Sequence, residues 1–292
     1  MKPTFDIDAL RTIVAGTEFG SFARAAAQLG RSQSAVSMQL KRLEEQAGRP
    51  LFQRNGRGLV PTEAGEALLV YARRIIELHD EAAATLGATA TAASVRMGLP
   101  QDFFEGVMPD AITRFSRQRP GVHVEVRAGR NYALEDEVSA GHLDMALAFF
   151  RPGRGPGTLL ASLPLSWFAG KKFAKTAAEP PAGIPLVLFD HPCLFRQAAL
   201  HALDSKGVPW RLSLTTPSLP GVWGALSFGQ GITVRTSHRI PAGIRDVGSE
   251  LDLPRLPCIE LRMIARSDLS PAASELRGVL EAVVRKRVIG AE

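Results

Sequence analysis

Residues 21–65 read SFARAAAQLGRSQSAVSMQLKRLEEQAGRPLFQRNGRGLVPTEAG, and this stretch decides the fold of the N-terminal part of the chain. Ser21 and Ser32 each precede a helix-favouring segment, and each segment ends at a glycine. Hydroxyl N-caps and C-terminal glycines delimit helices in this way. Upstream, residues 6–18 carry apolar side chains at helical spacing. Two short helices joined by a tight turn, behind a first helix, predict a helix-turn-helix.

The helix predicted after Ser32 has two different faces. Val36, Leu40 and Leu43 recur at spacings of four and three residues, so they should pack on the preceding helices. The opposite face carries small hydroxyls, an amide and a cation, which can approach base edges and phosphates closely. An ordinary amphipathic surface helix is the alternative, although such helices more usually alternate Glu and Lys. The predicted DNA-contacting residues are Ser32, Gln33, Ser34, Ser37, Met38 and Lys41.

A basic hairpin is predicted after this helix. Two short apolar runs flank Asn55-Gly56, a strong hairpin signal, and Arg54 and Arg57 lie at the tip. Residues 31–57 hold six cations against two anions, which indicates either a nucleic-acid surface or a solvated face. Beside a recognition helix, such a hairpin is a wing that reaches phosphates or a minor groove.

A long helix is predicted from Glu63 to about residue 86, with Thr62 as its cap. Apolar residues repeat along it in a heptad pattern. This seam either packs on the chain's own domain or joins two copies. We favour dimerisation because a loose Ala/Thr stretch, residues 87–94, follows as a linker. The predicted seam residues are Leu68, Tyr71, Ile75, Leu78 and Ala82.

From residue 94 the pattern changes from helical to alternating. Strand–helix alternation predicts α/β sheets, and the Pro- and Gly-rich residues 151–157 divide the strands into two sets. The expected architecture is two α/β lobes with a ligand between them, like that of periplasmic binding proteins. Predicted strands cover residues 95–99, 122–126, 143–149, 185–189, 210–214 and 232–235, and predicted helices cover residues 103–119, 133–140, 194–205, 219–228 and 272–288.

The N-terminal residues carry a family resemblance. SQSAVS at 32–37, PLF at 50–52 and TEAG at 62–65 resemble the LysR-type DNA-binding domain, and the match spans nearly all of residues 6–86. The resemblance implies a dimer through the long helix, often a dimer of dimers, bound to palindromic promoter DNA and acting with RNA polymerase.

Individual positions of this chain match functional positions of the family. By resemblance, Gln33, Ser34 and Ser37 read bases, and Arg57 enters the minor groove from the wing. Met38 stands where the family very often has arginine. This departure removes a guanine or phosphate contact, so base preference is expected to differ there.

The C-terminal region resembles the LysR effector domain. The match is clearest at MG (97–98), GHLDMAL (141–147) and GQGITV (229–234). PLVLFD at 185–190 and PWRL at 209–212 are similar to the LrhA branch, regulators of motility and virulence. Resemblance to this branch does not identify an effector.

The expected fold is multidomain. Residues 1–61 form an all-α winged helix-turn-helix, residues 62–93 a linker and dimerisation helix with a hinge, and residues 94–292 a two-lobed α/β effector-binding domain. In that domain, lobe I is expected at about 94–163 and 266–292, and lobe II at about 164–265.

A ligand cleft between such lobes is lined where strands end. Arg130 or Arg196 is suited to hold a carboxylate, although Arg196 is equally suited to bond Asp190. Helix starts near Phe103 and Ser218 also favour an anion, so we expect a small anionic effector. The predicted cleft residues are Pro100, Gln101, Asp102, Phe103, Arg130, Asn131, Asp190, Phe195, Arg196, Thr216, Ser218 and Thr233.

Other function classes have weaker support. The sequence lacks a Gly-x-Ser-x-Gly elbow, a Walker loop and a His-Glu-x-x-His motif, and its histidines are scattered. We therefore expect no enzyme activity, metal or cofactor. Two alternatives remain: a redox sensor using Cys193, and an effector-independent regulator whose cleft is filled by Phe103 or Phe195. Two cysteines, with no signal-like or membrane-length apolar segment, favour the cytoplasm and exclude a membrane partner.

Overall fold

The computed structural model describes residues 4–55, 58–85, 94–174 and 183–290. The chain divides into two compact units, residues 1–93 and 94–292. None of the described helices is both long enough and apolar enough to cross a membrane.

The N-terminal unit combines helices with one two-stranded hairpin. Leu10, Ile13, Leu43, Leu51 and Leu69 are fully or almost fully buried and form its core. Its elements are α1 (Ile7–Glu18), α2 (Phe22–Gln28), α3 (Gln33–Ala47), β1 (Phe52–Asn55), β2 (Gly58–Pro61) and α4 (Glu63–Thr85).

Hydroxyl side chains start α2 and α3, as the sequence predicts. Ser21 Oγ accepts a hydrogen bond from the backbone N of Arg24, and Ser32 Oγ accepts one from Ala35 N at 3.2 Å. Gly48 ends α3 with a φ of 68°, a conformation that favours glycine. The two caps therefore set where α3 begins and ends.

A side-chain carboxylate and a close backbone contact join α3, the hairpin and α4. Glu44 Oε1 accepts from the backbone N of Leu51 at 2.8 Å and of Phe52 at 3.1 Å. At the start of α4, a Cβ on Gly65 would lie 2.0 Å from the carbonyl oxygen of Leu51, so only glycine fits there. These contacts hold the hairpin beside α3.

The C-terminal unit alternates strands and helices. Its elements are β3 (Ser94–Leu99), a 3₁₀ turn (Gln101–Phe103), α5 (Val107–Gln118), β4 (His123–Ala128), α6 (Asn131–Ser139), β5 (Met145–Phe150), β6 (Thr158–Gly170), β7 (Ile184–Leu188), α7 (Leu194–Ser205), β8 (Trp210–Thr215), α8 (Leu219–Ser227), β9 (Ile232–Thr236), β10 (Ile244–Asp246), β11 (Cys258–Ala265), α9 (Pro271–Val284) and a π-helical turn (Arg285–Ile289).

The strands form one sheet in the order β4-β3-β5-β11-β6-β9-β7-β8, with β10 beside β6. Strand β6 pairs with β11 through Thr158–Pro164 and with β9 through Leu165–Ala169. It therefore belongs to two half-sheets, one in each lobe. The α/β two-lobed prediction for this region is confirmed.

Three details differ from the sequence prediction. Strands β6, β10 and β11 are absent from the predicted strands. Strand β11, placed in lobe II by the predicted boundary at residue 265, pairs with β5 through Glu260–Ala265 and so belongs to lobe I. The helix predicted from Phe103 begins at Val107, because a 3₁₀ turn and Gly106, with a φ of 88°, come first.

Candidate functional site

The outer face of α3 carries the six residues predicted to contact DNA. Ser32, Gln33, Ser34, Ser37, Met38 and Lys41 are all exposed, and Met38 exposes 68% of its surface. The inner face buries the apolar side chains predicted for it, Val36, Leu40 and Leu43.

Two polar contacts fix α3 and the preceding turn against α1. Thr12, fully buried on α1, donates its hydroxyl hydrogen to Gln39 Oε1 at 2.8 Å. Arg31 Nη2 donates to Asp8 Oδ2 at 2.7 Å. Gln39 and Arg31 therefore hold the helix in place, which leaves its outer face open.

Several basic side chains near α3 make weak ion pairs or none within the described residues. Lys41 Nζ lies 3.9 Å from Glu45 Oε1, with both side chains largely exposed. Arg42, Arg49 and Arg54 are exposed and make no ion pair within the described residues. Arg54 lies on β1 of the hairpin, whereas Arg57, the other predicted wing residue, lies outside the described residues.

The predicted seam on α4 faces away from the unit's own core. Tyr71, Leu78 and Ala82 are exposed, and Ile75 exposes 38% of its surface. The inner face of the helix is a different set, Leu69 and Ala72, both fully buried. Leu68 is the exception among the seam residues, because it is half-buried against the core.

A cavity of about 370 Å³ lies between the two lobes of the C-terminal unit. It is lined from lobe I by the strand ends after β3 and β4, and from lobe II by residues after β7, on α7 and on β9. Half of the twelve predicted cleft residues line it, namely Pro100, Gln101, Asp102, Arg130, Asn131 and Phe195.

Three predicted residues lie next to the cavity and support its walls. Asp190 Oδ1 accepts from Arg130 Nη2 at 2.5 Å. Arg196 does not bond Asp190, because its Nη1 donates to the carbonyl oxygen of Phe189 at 3.2 Å. Thr216 Oγ1 accepts from the backbone N of Ser218 at 3.2 Å. These polar groups are already satisfied by the protein.

The other three predicted residues do not reach this cavity. Phe103 is almost fully buried, with its ring centroid 5.4 Å from that of Phe149. Thr233 is 1% exposed within β9. Ser218 caps α8 and lines a second cavity of about 390 Å³. Burial lowers the pKa of His238, which lines the same second cavity.

Hydrogen bonds cross from one lobe to the other around the cavity. Gln101 Nε2 donates to the carbonyl oxygen of Pro217 at 3.2 Å, and Gln101 Oε1 accepts from the backbone N of Leu219 at 2.7 Å. Arg130 Nη1 also donates to the carbonyl oxygen of His191 at 3.2 Å. The hydrogen bond from Arg130 lowers the pKa of Asp190. Gln101 and Arg130 therefore hold the lobes together.

The sequence analysis missed an important part of the lining. Arg235, at the end of β9, lines the cavity two residues beyond the predicted Thr233. The sequence feature that could have identified Arg235 is a charged residue within an otherwise uncharged strand. The other missed residues include Phe149, Phe189, Pro192, Cys193 and Pro217.

Family comparisons identify both units. Residues 7–66 match the bacterial regulatory helix-turn-helix protein, lysR family, and residues 88–285 match the LysR substrate binding domain. The chain belongs to the LysR family. It is therefore a DNA-binding transcriptional regulator with an effector-binding domain.

Individual relatives agree with the LysR assignment. The chain is 35% identical over 260 residues to the HTH-type transcriptional regulator DgdR of Burkholderia cepacia, covering 89% of this chain and 87% of DgdR. It is 34% identical over 252 residues to the HTH-type transcriptional regulator PecT of Dickeya dadantii, covering 86% and 79%. Both are regulators. The resemblance to the LrhA branch stays a prediction.

A solved structure has the same fold as this LysR-family chain. ArgP from Mycobacterium tuberculosis matches with a TM-score of 0.70 at 20% identity, covering 96% of this chain and 97% of that chain.

The two alternative regulators have little support in this LysR-family chain. Neither Phe103 nor Phe195 fills the cleft, since a cavity remains beside them. Cys193 is buried within the apolar core cluster and lines the cavity wall, so its thiol is not presented at the surface. Within the described ranges, no group of three or more His, Cys, Asp or Glu residues is placed to hold a metal ion.

Proposed function

We propose that this LysR-family regulator binds promoter DNA through the outer face of α3. The observation that carries the proposal is that all six predicted contact residues on this face are exposed. Gln33 and Ser37 contact base edges in the major groove, since an amide can bridge an adenine edge and a hydroxyl bonds either partner. Arg54 contacts phosphate from the hairpin, and Arg57 serves the minor groove.

Dimerisation through α4 is part of the proposal. The exposed apolar side chains of Tyr71, Ile75 and Leu78 are separate from the buried inner face of the helix. Exposed apolar side chains at heptad spacing are suited to pack against a second copy. A dimer would place two α3 helices on the two halves of a palindromic site.

A small anionic molecule is proposed as the effector in the 370 Å³ cavity. Binding there would favour one relative arrangement of the lobes, and this population shift would alter DNA binding. The cross-lobe hydrogen bonds of Gln101 and Arg130 support the proposal, because they are the contacts that such a shift would change.

The cellular location and one further partner are also inferred. We place the regulator in the cytoplasm, where bacterial promoter DNA is found, and include RNA polymerase among its partners. In this role the regulator catalyses no reaction. The two relatives named above are regulators, in agreement with this.

Selection of DNA from a random pool tests the DNA-binding proposal. Wild-type protein should select a palindromic site. Gln33→Ala should weaken binding to this site by roughly 1–3 kcal/mol and relax preference at one position of each half-site. Arg54→Ala should weaken binding to all sequences alike and reduce the salt dependence by about one phosphate contact. A Gln33→Ala protein that selects the unchanged site, with an Arg54→Ala protein that selects a different one, would contradict this assignment of base and phosphate contacts.

A further inference from the structure

Arg235 is a buried arginine whose guanidinium packs against two aromatic rings. The residue is 2% exposed although it lines the cavity between the lobes. Its guanidinium carbon lies 4.1 Å from the centroid of the Phe189 ring and 4.6 Å from that of Phe195. The N–H groups of a guanidinium lie in its plane, so hydrogen-bond partners approach in that plane while the rings contribute cation–π contacts.

The guanidinium of Arg235 makes no hydrogen bond within the described part of the chain. Its only acidic neighbour there is Asp102, whose Oδ1 lies 3.7 Å from Nη1, beyond hydrogen-bond distance. The Nε atom is fully buried and has no partner among the described residues. Buried donors without partners are costly, and a charged group more so. This arrangement is typical of a binding group whose partner comes from outside the chain.

Three other polar side chains of the cavity already have hydrogen-bond partners within the chain. Arg130 holds Asp190, and Asn131 Oδ1 accepts from the backbone N of Phe149 at 2.9 Å. Gln101 bonds both Pro217 and Leu219. Arg235 is therefore the group best placed to recognise a polar part of a ligand.

Apolar side chains form the remaining wall of the cavity. The rings of Phe149, Phe189 and Phe195 and the prolines Pro100 and Pro192 line it. Its volume of about 370 Å³ is at the small end of the range for ligand pockets. A ligand that fits has a short apolar or aromatic body and one anionic group.

We propose that Arg235 binds the carboxylate of a small organic acid whose apolar body lies against the phenylalanine rings. A carboxylate supplies two acceptor oxygens in one plane, which matches the planar donors of a guanidinium. Among the described residues, Asp102 is the anion nearest to Arg235, at a distance too long for a hydrogen bond. Its negative charge repels a second carboxylate at this position. The inference rests on the proposed function, since it uses the same cavity and specifies the effector's class and the residue that reads it.

Binding to the full chain tests this assignment, with benzoate, phenylacetate and isobutyrate as probes and their amides as matched neutral controls. Thermal melting and titration calorimetry should show that at least one acid binds and raises Tm, and that its amide does not. Arg235→Met keeps an apolar side chain against the rings and should weaken this acid's binding roughly ten- to hundredfold. Asp102→Asn should tighten it.

Arg127→Met is the control for the loss of one arginine. Arg127 lies on β4, pairs with Glu125 and does not line the cavity, so its replacement should leave acid binding unchanged. Failure of every acid to bind, equal binding of acid and amide, or binding that survives Arg235→Met would overturn the proposal. If the same preparation still selects a specific DNA site, the failure belongs to the Arg235 assignment and not to the proposed DNA-binding function.

Discussion

The outer face of α3 and the cavity between the lobes are built in opposite ways. On α3, six exposed side chains come from ten consecutive residues. The cavity draws on residues from Pro100 to Arg235, and several of them bond across the lobes. An exposed side chain on the outer face of α3 can therefore be changed with little effect on the fold, whereas a change in the cavity alters the ligand site and the lobe contacts together.

The largest expected effect of changing an exposed residue is the loss of dimerisation when the α4 seam is altered. Leu78→Asp changes a side chain that is 65% exposed, so the free energy of unfolding of a single chain should change by about 0.5 kcal/mol or less. In a dimer, the variant would bury an unpaired charge, at a cost of roughly several kcal/mol. Sedimentation velocity should show monomers, and operator binding should be lost.

The opposite face of α4 provides the control. Leu69 is fully buried, so Leu69→Ala should lower the stability of the N-terminal unit by about 2–5 kcal/mol. If Leu78→Asp instead unfolds the chain and leaves the remaining native protein dimeric, the seam does not join two copies.

Met38→Arg should change which DNA sequence is preferred. Methionine cannot make the hydrogen bonds of the arginine common at this position in the family, whereas arginine pairs bidentately with guanine. Selection from a random pool should show a new preference at one position of each half-site, worth roughly 1–3 kcal/mol. Glu45→Gln raises the net charge of exposed α3 by the same one unit and should strengthen binding to all sequences. Identical selected sites for wild type and Met38→Arg would place Met38 away from the bases.

Gln101→Ala changes the cavity, and Ser34→Ala changes the outer face of α3. Their effects on stability compare the two regions directly. Loss of Gln101 breaks two cross-lobe hydrogen bonds and leaves the backbone N of Leu219 without its acceptor. The C-terminal unit should lose about 1–2 kcal/mol of stability. All three tryptophans lie in this unit, so fluorescence during urea unfolding measures the loss. Ser34→Ala, followed by circular dichroism, should change stability by about 0.5 kcal/mol or less; equal losses would remove the contrast.

The smallest expected effect is the acid sensitivity of the Arg130–Asp190 pair. Arg130 lowers the pKa of Asp190, so the pair stabilises the folded state at pH values above the ordinary carboxyl pKa of about 4. This stabilisation is lost as the pH falls through the lowered pKa. The Tm difference between wild type and Asp190→Asn should therefore shrink below about pH 4. Asp136→Asn, at an exposed carboxyl with no ion pair among the described residues, should show no such trend.

Features that depend on neighbouring residues could be predicted from the sequence. The caps at Ser21 and Ser32 and the two faces of α3 follow from residue type and spacing over a few positions. The two-lobed α/β fold followed from strand–helix alternation. Strand β6 was missed because Pro164 lies in its middle, and proline normally argues against an internal strand.

The cavity could be predicted only in part. Strand ends identified Arg130 and Gln101, because ligands of α/β folds bind where strands end. The role of Arg235 depends on two rings from lobe II and a carboxylate from lobe I, which are far apart in the sequence. Sequence spacing carries no information on such packing.

Strand β6 also determines what kind of movement the lobes can make. Its residues hydrogen-bond to β11 on one side of Pro164 and to β9 beyond it, so pulling the lobes apart would break pairs in one half-sheet. A rotation about the backbone near Pro164 preserves both ladders, and the fixed φ of proline keeps that rotation small. The proposed population shift would therefore act as a torsion of a few backbone angles near Pro164.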